Sequence, residues 1–138
     1  MSEDRPIVAP PPRRNADGTT TVTTLDAGDI RLVCPDWCIV EHGYLHPPAK
    51  VDIFHASNPV WALLSTPEQG DVSVGPVCLK QWPYSGRVDV FVMVEMDTEG
   101  YPVGPMGARR FARAFRHYAD HIDAMADKLE AIRAGENQ

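Results

Sequence analysis

Cys34-Pro35-Asp36-Trp37-Cys38-Ile39-Val40-Glu41-His42-Gly43-Tyr44-Leu45-His46-Pro47-Pro48 is the stretch that organises this chain. Cys34, Cys38, His42 and His46 fall at every fourth position, and His55 follows nine residues later. Thiolate and imidazole together suit zinc, and structural zinc sites are closed by four such ligands in tetrahedral geometry. Zn2+ is therefore the expected cofactor. The spacing also has a conformational reading. Pro35 favours the first helical position behind a capping Cys34, and Gly43 favours a helix stop. A two-turn helix over 35–42 is expected, with Cys34, Cys38 and His42 along one edge. The fourth ligand must come from outside it, either from His46 in the loop or from His55 beyond Val51-Asp52-Ile53-Phe54. The plain alternative is two buried thiols beside exposed loop histidines. In a chain with three Cys and five His, such a density of ligands favours the metal. A redox pair fits less well, because the usual motif is C-x-x-C and the spacer here is three. Trp37 is expected to pack beside the metal as a lid.

Outward on the N-terminal side, Thr20–Val33 is rich in β-branched residues and predicts a strand or hairpin turning at Ala27-Gly28. Residues 1–19 carry Pro, Arg, Asp, Gly and Thr with almost no large apolar side chain, and read as a flexible tail. On the C-terminal side, 60–65 and 71–82 read as strands, the second interrupted at Gly75-Pro76, where a bulge or an edge is expected. Residues 87–96 form the clearest strand. Val88, Val90, Val92, Val94 and Met96 share one face, while Phe91 and Met93 make the middle of the other face apolar too. A turn at 97–100 leads to a helix over about 106–133. Its stripe is Ala108, Phe111, Phe115, Tyr118, Ile122, Met125, Leu129 and Ile132, alternately three and four apart. Gly104-Pro105 suits its start and Gly135 its stop. The expected fold is α+β: a small antiparallel sheet of three to four strands, a zinc-knuckle lobe, and the long helix packed on the sheet. The single domain would run from 20 to 134, with 135–138 flexible.

The helix carries Arg109, Arg110, Arg113 and Arg116 in its first half and Asp120, Asp123, Asp127 and Glu130 in its second. That order opposes the macrodipole, which favours acids first and bases last. The arginines either pair with the protein's own acids or meet an anionic partner. His117 and His121, four apart, have no third ligand in the sequence and read as a solvated face; Cys78 reads as core. A helix of about seven turns spans on the order of 40 Å, against roughly 15–20 Å for four strands. Met125, Leu129 and Ile132 should then overhang the sheet and engage a partner, either a second copy or another protein.

Composition limits the function classes. The 138 residues suffice for one ordinary domain, with 43% apolar and 23% charged side chains. No apolar run approaches 18 residues, so no transmembrane helix is expected. The first fifteen residues lack an apolar stretch of signal-peptide length, so a cytoplasmic location is expected. A net charge of −6 argues against general nucleic-acid binding.

The CPDWC core, His42, the later His55-Ala56-Ser57, the short strands and the alanine-rich C-terminal helix resemble a domain family of unknown function, over roughly 30–133. That family is widespread in small actinobacterial proteins and in those of their phages and mobile elements. Its pattern is C-P-x-W-C, a His about four residues on, and a later His followed by a small residue before a strand. The resemblance favours His55 over His46 as fourth ligand and implies no activity. Gly104-Pro105-Met106 departs from the Thr-Pro-acidic opening frequent in that helix. The functional expectation is a non-enzymatic, zinc-stabilised interaction module, a regulatory or accessory protein working through protein contacts. The arginine face and the end of the helix are its candidate partner-binding surfaces, with Phe91/Met93 as a further one. The alternatives are a DNA- or RNA-binding regulator using the arginine face, and a zinc hydrolase. The latter would need an open coordination position and a base, for which Asp36 and Glu41 are merely nearby.

Overall fold

The computed structural model describes residues 9–44 and 46–136. The chain divides into two compact units, with the boundary between Pro102 and Val103. The first unit opens with a short strand, Arg13–Arg14 (β1), and a hairpin of Thr20–Thr24 (β2) and Gly28–Leu32 (β3). Alternation along β2 buries Val22 and Thr24, and β3 ends on buried Leu32. Gly28 adopts a left-handed φ of 66°, a conformation that costs glycine little. The Thr24 hydroxyl ties the turn by donating to the Gly28 carbonyl at 2.7 Å and accepting from the Ala27 N–H at 3.0 Å.

The expected tail is ordered well before residue 20. β1 pairs antiparallel with β2, Arg13 facing Thr21 and Arg14 facing Thr20. The Asn15 side-chain amide donates to the hydroxyls of Thr19 and Thr21 at 2.9 and 2.8 Å. Asp17 accepts from the Thr19 N–H and hydroxyl. Polar side chains, rather than apolar ones, fix this segment, which is why a hydropathy reading passes over it. The rest of the expected tail, 1–8, lies outside the described residues.

A second sheet contains His55–Ala56 (β4), Val60–Thr66 (β5), Gly70–Gln81 (β6), Phe91–Met96 (β7) and Glu99–Val103 (β8), in the order β4-β6-β7-β8 with β5 also on β6. The class is α+β with antiparallel sheets, as expected. Among the described residues the strands number eight in two sheets, where three to four in one were expected. β6 is long enough for two partners on one side: β5 pairs along 70–77 and β4 at Lys80 and Gln81. Gly75-Pro76 forms the expected bulge, where the register shifts between Val60 and Ala62. Gly75 sits at φ 123°, and a Cβ there would lie 3.2 Å from the Val60 carbonyl oxygen.

β7 begins at Phe91, four residues later than expected, so Val88 and Val90 lie outside it and are exposed. Phe91, Met93 and Val94 are buried. Phe91 stacks on Trp82 with centroids 5.6 Å apart and planes at 21°. Met93 presses its sulfur towards Gly100, where a Cβ would come within 2.8 Å of it. Phe91 and Met93 are therefore core residues and not a free binding surface. Both faces of this segment are apolar, so periodicity alone could not choose between them.

The second unit is one helix, Pro105–Glu136 (α1), opened by the Ala108 N–H donating to the Gly104 carbonyl at 2.9 Å. It runs through Gly135, which does not stop it. Taken by itself, α1 has no buried residue. Thirty-two residues exceed the length at which a helix of good formers sustains its own hydrogen bonds. Among the described residues no helix is long and apolar enough to cross a membrane.

Candidate metal centre

Cys34 leaves β3 two residues after buried Leu32, so the edge of the core fixes where the first thiol starts. Val22, Leu32 and Ile53 form that core, with Ile30, Cys34, Tyr44 and Tyr84 packed against it. The expected helix over 35–42 does not form. A single turn closes instead, the Cys38 N–H donating to the Pro35 carbonyl at 3.0 Å. The Ile39 N–H then donates to the Ala56 carbonyl at 2.9 Å, which docks the cysteine loop on β4. His42 takes a left-handed φ of 55° just before Gly43. Proline and glycine thus punctuate a knuckle here, with the same residues that would have bounded a helix.

Cys34, Cys38, His42 and His55 offer ligand atoms that all lie within 4.8 Å of one another. His42 Nε2 is 3.2 Å from Cys34 Sγ and 3.9 Å from Cys38 Sγ. In a tetrahedron built from Zn–S of about 2.3 Å and Zn–N of about 2.0–2.1 Å, neighbouring ligand atoms stand roughly 3.3–3.8 Å apart. The observed separations bracket that range. The two imidazoles are nearly perpendicular, at 89° with centroids 5.5 Å apart. His55 comes from the first residue of β4, held opposite Gln81. His46 is exposed and is not among the four.

Two observations indicate that something is meant to sit between these side chains. His55 is 2% exposed, yet its Nδ1 is buried with no hydrogen-bond partner. A buried, unpaired polar atom carries its full desolvation penalty unless a partner is supplied. A metal ion supplies one. The electrostatics agree. Burial and the adjacent Cys38 sulfur push the Cys34 thiol up to about 11. Burial and the neighbouring His55 push His42 down to about 4. His55 is lowered by burial as well. The pocket thus disfavours the Cys34 thiolate and the imidazolium forms of His42 and His55. A divalent cation inverts this logic by stabilising thiolates and excluding protons from the imidazoles.

Around the four donors, Trp37 sets its ring edge-on to His55, with centroids 6.3 Å apart and planes at 82°. It lies half-buried where a lid was expected. Tyr44, which the sequence reading passed over, places its hydroxyl 3.5 Å from His42 Nδ1. A metal on His42 Nε2, the nitrogen facing the sulfurs, would leave the proton on Nδ1, the side facing that oxygen, and so support the ligand. Only an aromatic residue two positions after a candidate ligand hinted at this role.

The remaining sequence candidates lie elsewhere. Arg109, Arg110, Arg113 and Arg116 are exposed on α1. Among the described residues, ion pairs join Arg13 to Asp29, Arg31 to Asp17 and Arg87 to Asp89, none of them involving the four helix arginines. Met125, Leu129 and Ile132 are exposed on the same helix. His117 and His121 meet edge to face at 4.7 Å without a third ligand among the described residues. Cys78 is half-buried in β6 opposite Met93.

No curated protein and no solved structure matches the chain. A family described as a domain of unknown function, DUF6907, matches residues 19–131, which takes in the β2–β3 hairpin, the knuckle, the second sheet and most of α1. The chain belongs to that family.

Proposed function

We propose that the chain is a zinc-stabilised interaction module: a non-enzymatic regulatory or accessory protein of the cytoplasm that works through protein contacts. The observation that carries this reading is the closed set Cys34, Cys38, His42 and His55, knitted into the edge of a very small core. Two thiolates and two imidazoles fill a tetrahedral zinc completely, which fits a structural ion and disfavours hydrolysis at an open position. Metal binding then supplies folding free energy to a unit whose first core holds three fully packed apolar side chains. The surface left over is unusually apolar. Val60, Leu63, Leu64 and Val74 stand exposed on the β5–β6 hairpin. Apolar surface of this kind marks a contact with another protein.

The exposed arginines of α1 favour a second reading, a nucleic-acid-binding regulator. The net charge of −6 and the four acids on the same helix oppose it. Chelation tests the leading reading. Stripping the metal should lower the melting temperature by ten degrees or more, on the order of a few kcal/mol for a domain this size. An unchanged melt after verified removal would show the metal to be peripheral to folding.

A further inference from the structure

The geometry points to a peroxide switch: Cys34 and Cys38 close into a disulfide and so release the ion that they and the two histidines hold. This deepens the reading of a zinc-stabilised regulatory module and rests on it. The four donors do not share one environment. His42 and His55 are 3% and 2% exposed, whereas both cysteines are half-buried. The two sulfur-bearing residues also line a cleft of about 430 Å3, with Arg14 and Thr20 of β1 and β2 on one side and Asp36 and Glu41 of the cysteine loop on the other. A small solute entering that cleft reaches sulfur. Cys78, the third cysteine, lies in β6 opposite Met93 and does not border it.

A three-residue spacer is wrong for an oxidoreductase pair of the C-x-x-C kind, but a switch needs only two sulfurs within reach of each other. The turn closed from the Cys38 N–H to the Pro35 carbonyl folds the spacer back, and the two Sγ atoms lie within 4.8 Å. Rotation about two Cα–Cβ bonds is the movement that brings them to the S–S distance of about 2.05 Å. Arg14, beside the cleft, sets its positive charge close enough to act on Cys34. There it favours negative charge on sulfur and on a departing hydroxide, which makes Cys34 the attacking residue.

The Cys34 thiolate attacks one oxygen of hydrogen peroxide: an S–O bond forms, the O–O bond breaks, and hydroxide leaves. The Cys38 thiolate then attacks that sulfur: the S–S bond forms, the S–O bond breaks, and a second hydroxide leaves. The two sulfurs give up two electrons, the peroxide takes them, and two solvent protons turn the hydroxides into water. His42 and His55 alone do not close a structural zinc site. The folding free energy supplied by the metal goes with it, and the unit around Val22, Leu32 and Ile53 loosens. In a reducing compartment thiols reopen the disulfide, so the change is reversible.

Hydrogen peroxide alone, added to full chain whose zinc has been measured beforehand, tests this. In the unaltered chain and in Cys78→Ser alike, zinc should pass to a chromogenic chelator as a Cys34–Cys38 disulfide appears in a peptide map. The melting temperature should fall to that of chelated protein, and dithiothreitol with added zinc should restore it. Arg14→Gln should slow release about three- to fivefold, with zinc content and melting temperature unchanged before oxidation. Zinc kept while the thiols are oxidised, zinc lost to sulfinic acids with no disulfide, disulfides formed only between chains, or a rate indifferent to Arg14→Gln would each overturn the proposal. A chain purified without zinc would refute the metal reading instead, and the same peptide map on it still decides whether Cys34 and Cys38 join.

Discussion

His55 and His46 are nine residues apart, and both follow the cysteine loop closely enough to serve as ligands on spacing alone. Their surroundings separate them. His55 is held by the β4–β6 register, is 2% exposed, and has an orphaned Nδ1, while His46 is exposed. A buried imidazole without a partner gains most from coordination. His55→Ala should therefore lose most bound zinc after gel filtration, while His46→Ala should retain about as much as the unaltered chain. Equal retention in both would move the fourth ligand elsewhere. The donor types and the first three positions were legible in the sequence, because thiolate and imidazole at four-residue intervals have little other use. Their conformation was not. Pro35 and Gly43 are signals for a helix boundary and for a tight turn alike. His42 settles the matter by adopting φ 55°, which no residue type other than glycine advertises in advance.

At the scale of elements, strands announced themselves where β-branched residues crowd together and stayed hidden where they do not. β6 and β7 are rich in valine and β5 in large apolar residues, and all three were readable; β8, Glu-Gly-Tyr-Pro-Val, contains glycine and proline, both depleted in strands. β1 is two arginines held by pairing with β2, a tertiary fact that two residues cannot encode. α1 was legible nearly to its ends, since a stripe repeated over four heptads outweighs local noise, though Gly135 misled at the last turn. The bulge in β6 was legible for a physical reason: a proline cannot donate to the ladder. That bulge also carries a prediction. Gly75 combines φ 123° with a carbonyl oxygen 3.2 Å from where a Cβ would stand. Gly75→Ala should cost about 1–3 kcal/mol, read as a lower urea midpoint with an unchanged slope. Gly86→Ala, where a Cβ meets nothing, serves as the control. Equal midpoints would mean the bulge tolerates a side chain.

For the whole molecule, the ligand cluster is the place where protonation meets folding. In the metal-free protein His42 is depressed from 6.5 to about 4, and His55 is lowered too. The folded form then binds fewer protons than the unfolded chain below pH 6.5, so the stability these groups contribute is present above that pH. It is lost as pH falls from 6.5 towards 4. Cys34, raised from 9.0 to about 11, works at the other end: its contribution is full below pH 9 and is lost as pH rises towards 11. Chelated protein should melt highest between about pH 6.5 and 9, and a melting temperature that rises on going from pH 7 to pH 5 would refute this picture of the metal-free pocket. The account as a whole rests on the ion itself. X-ray absorption at the zinc edge, with elemental analysis of gently purified protein, tests it most directly. One zinc per chain bound by two sulfurs and two nitrogens is the predicted result; an all-oxygen shell, or protein free of metal, would contradict it.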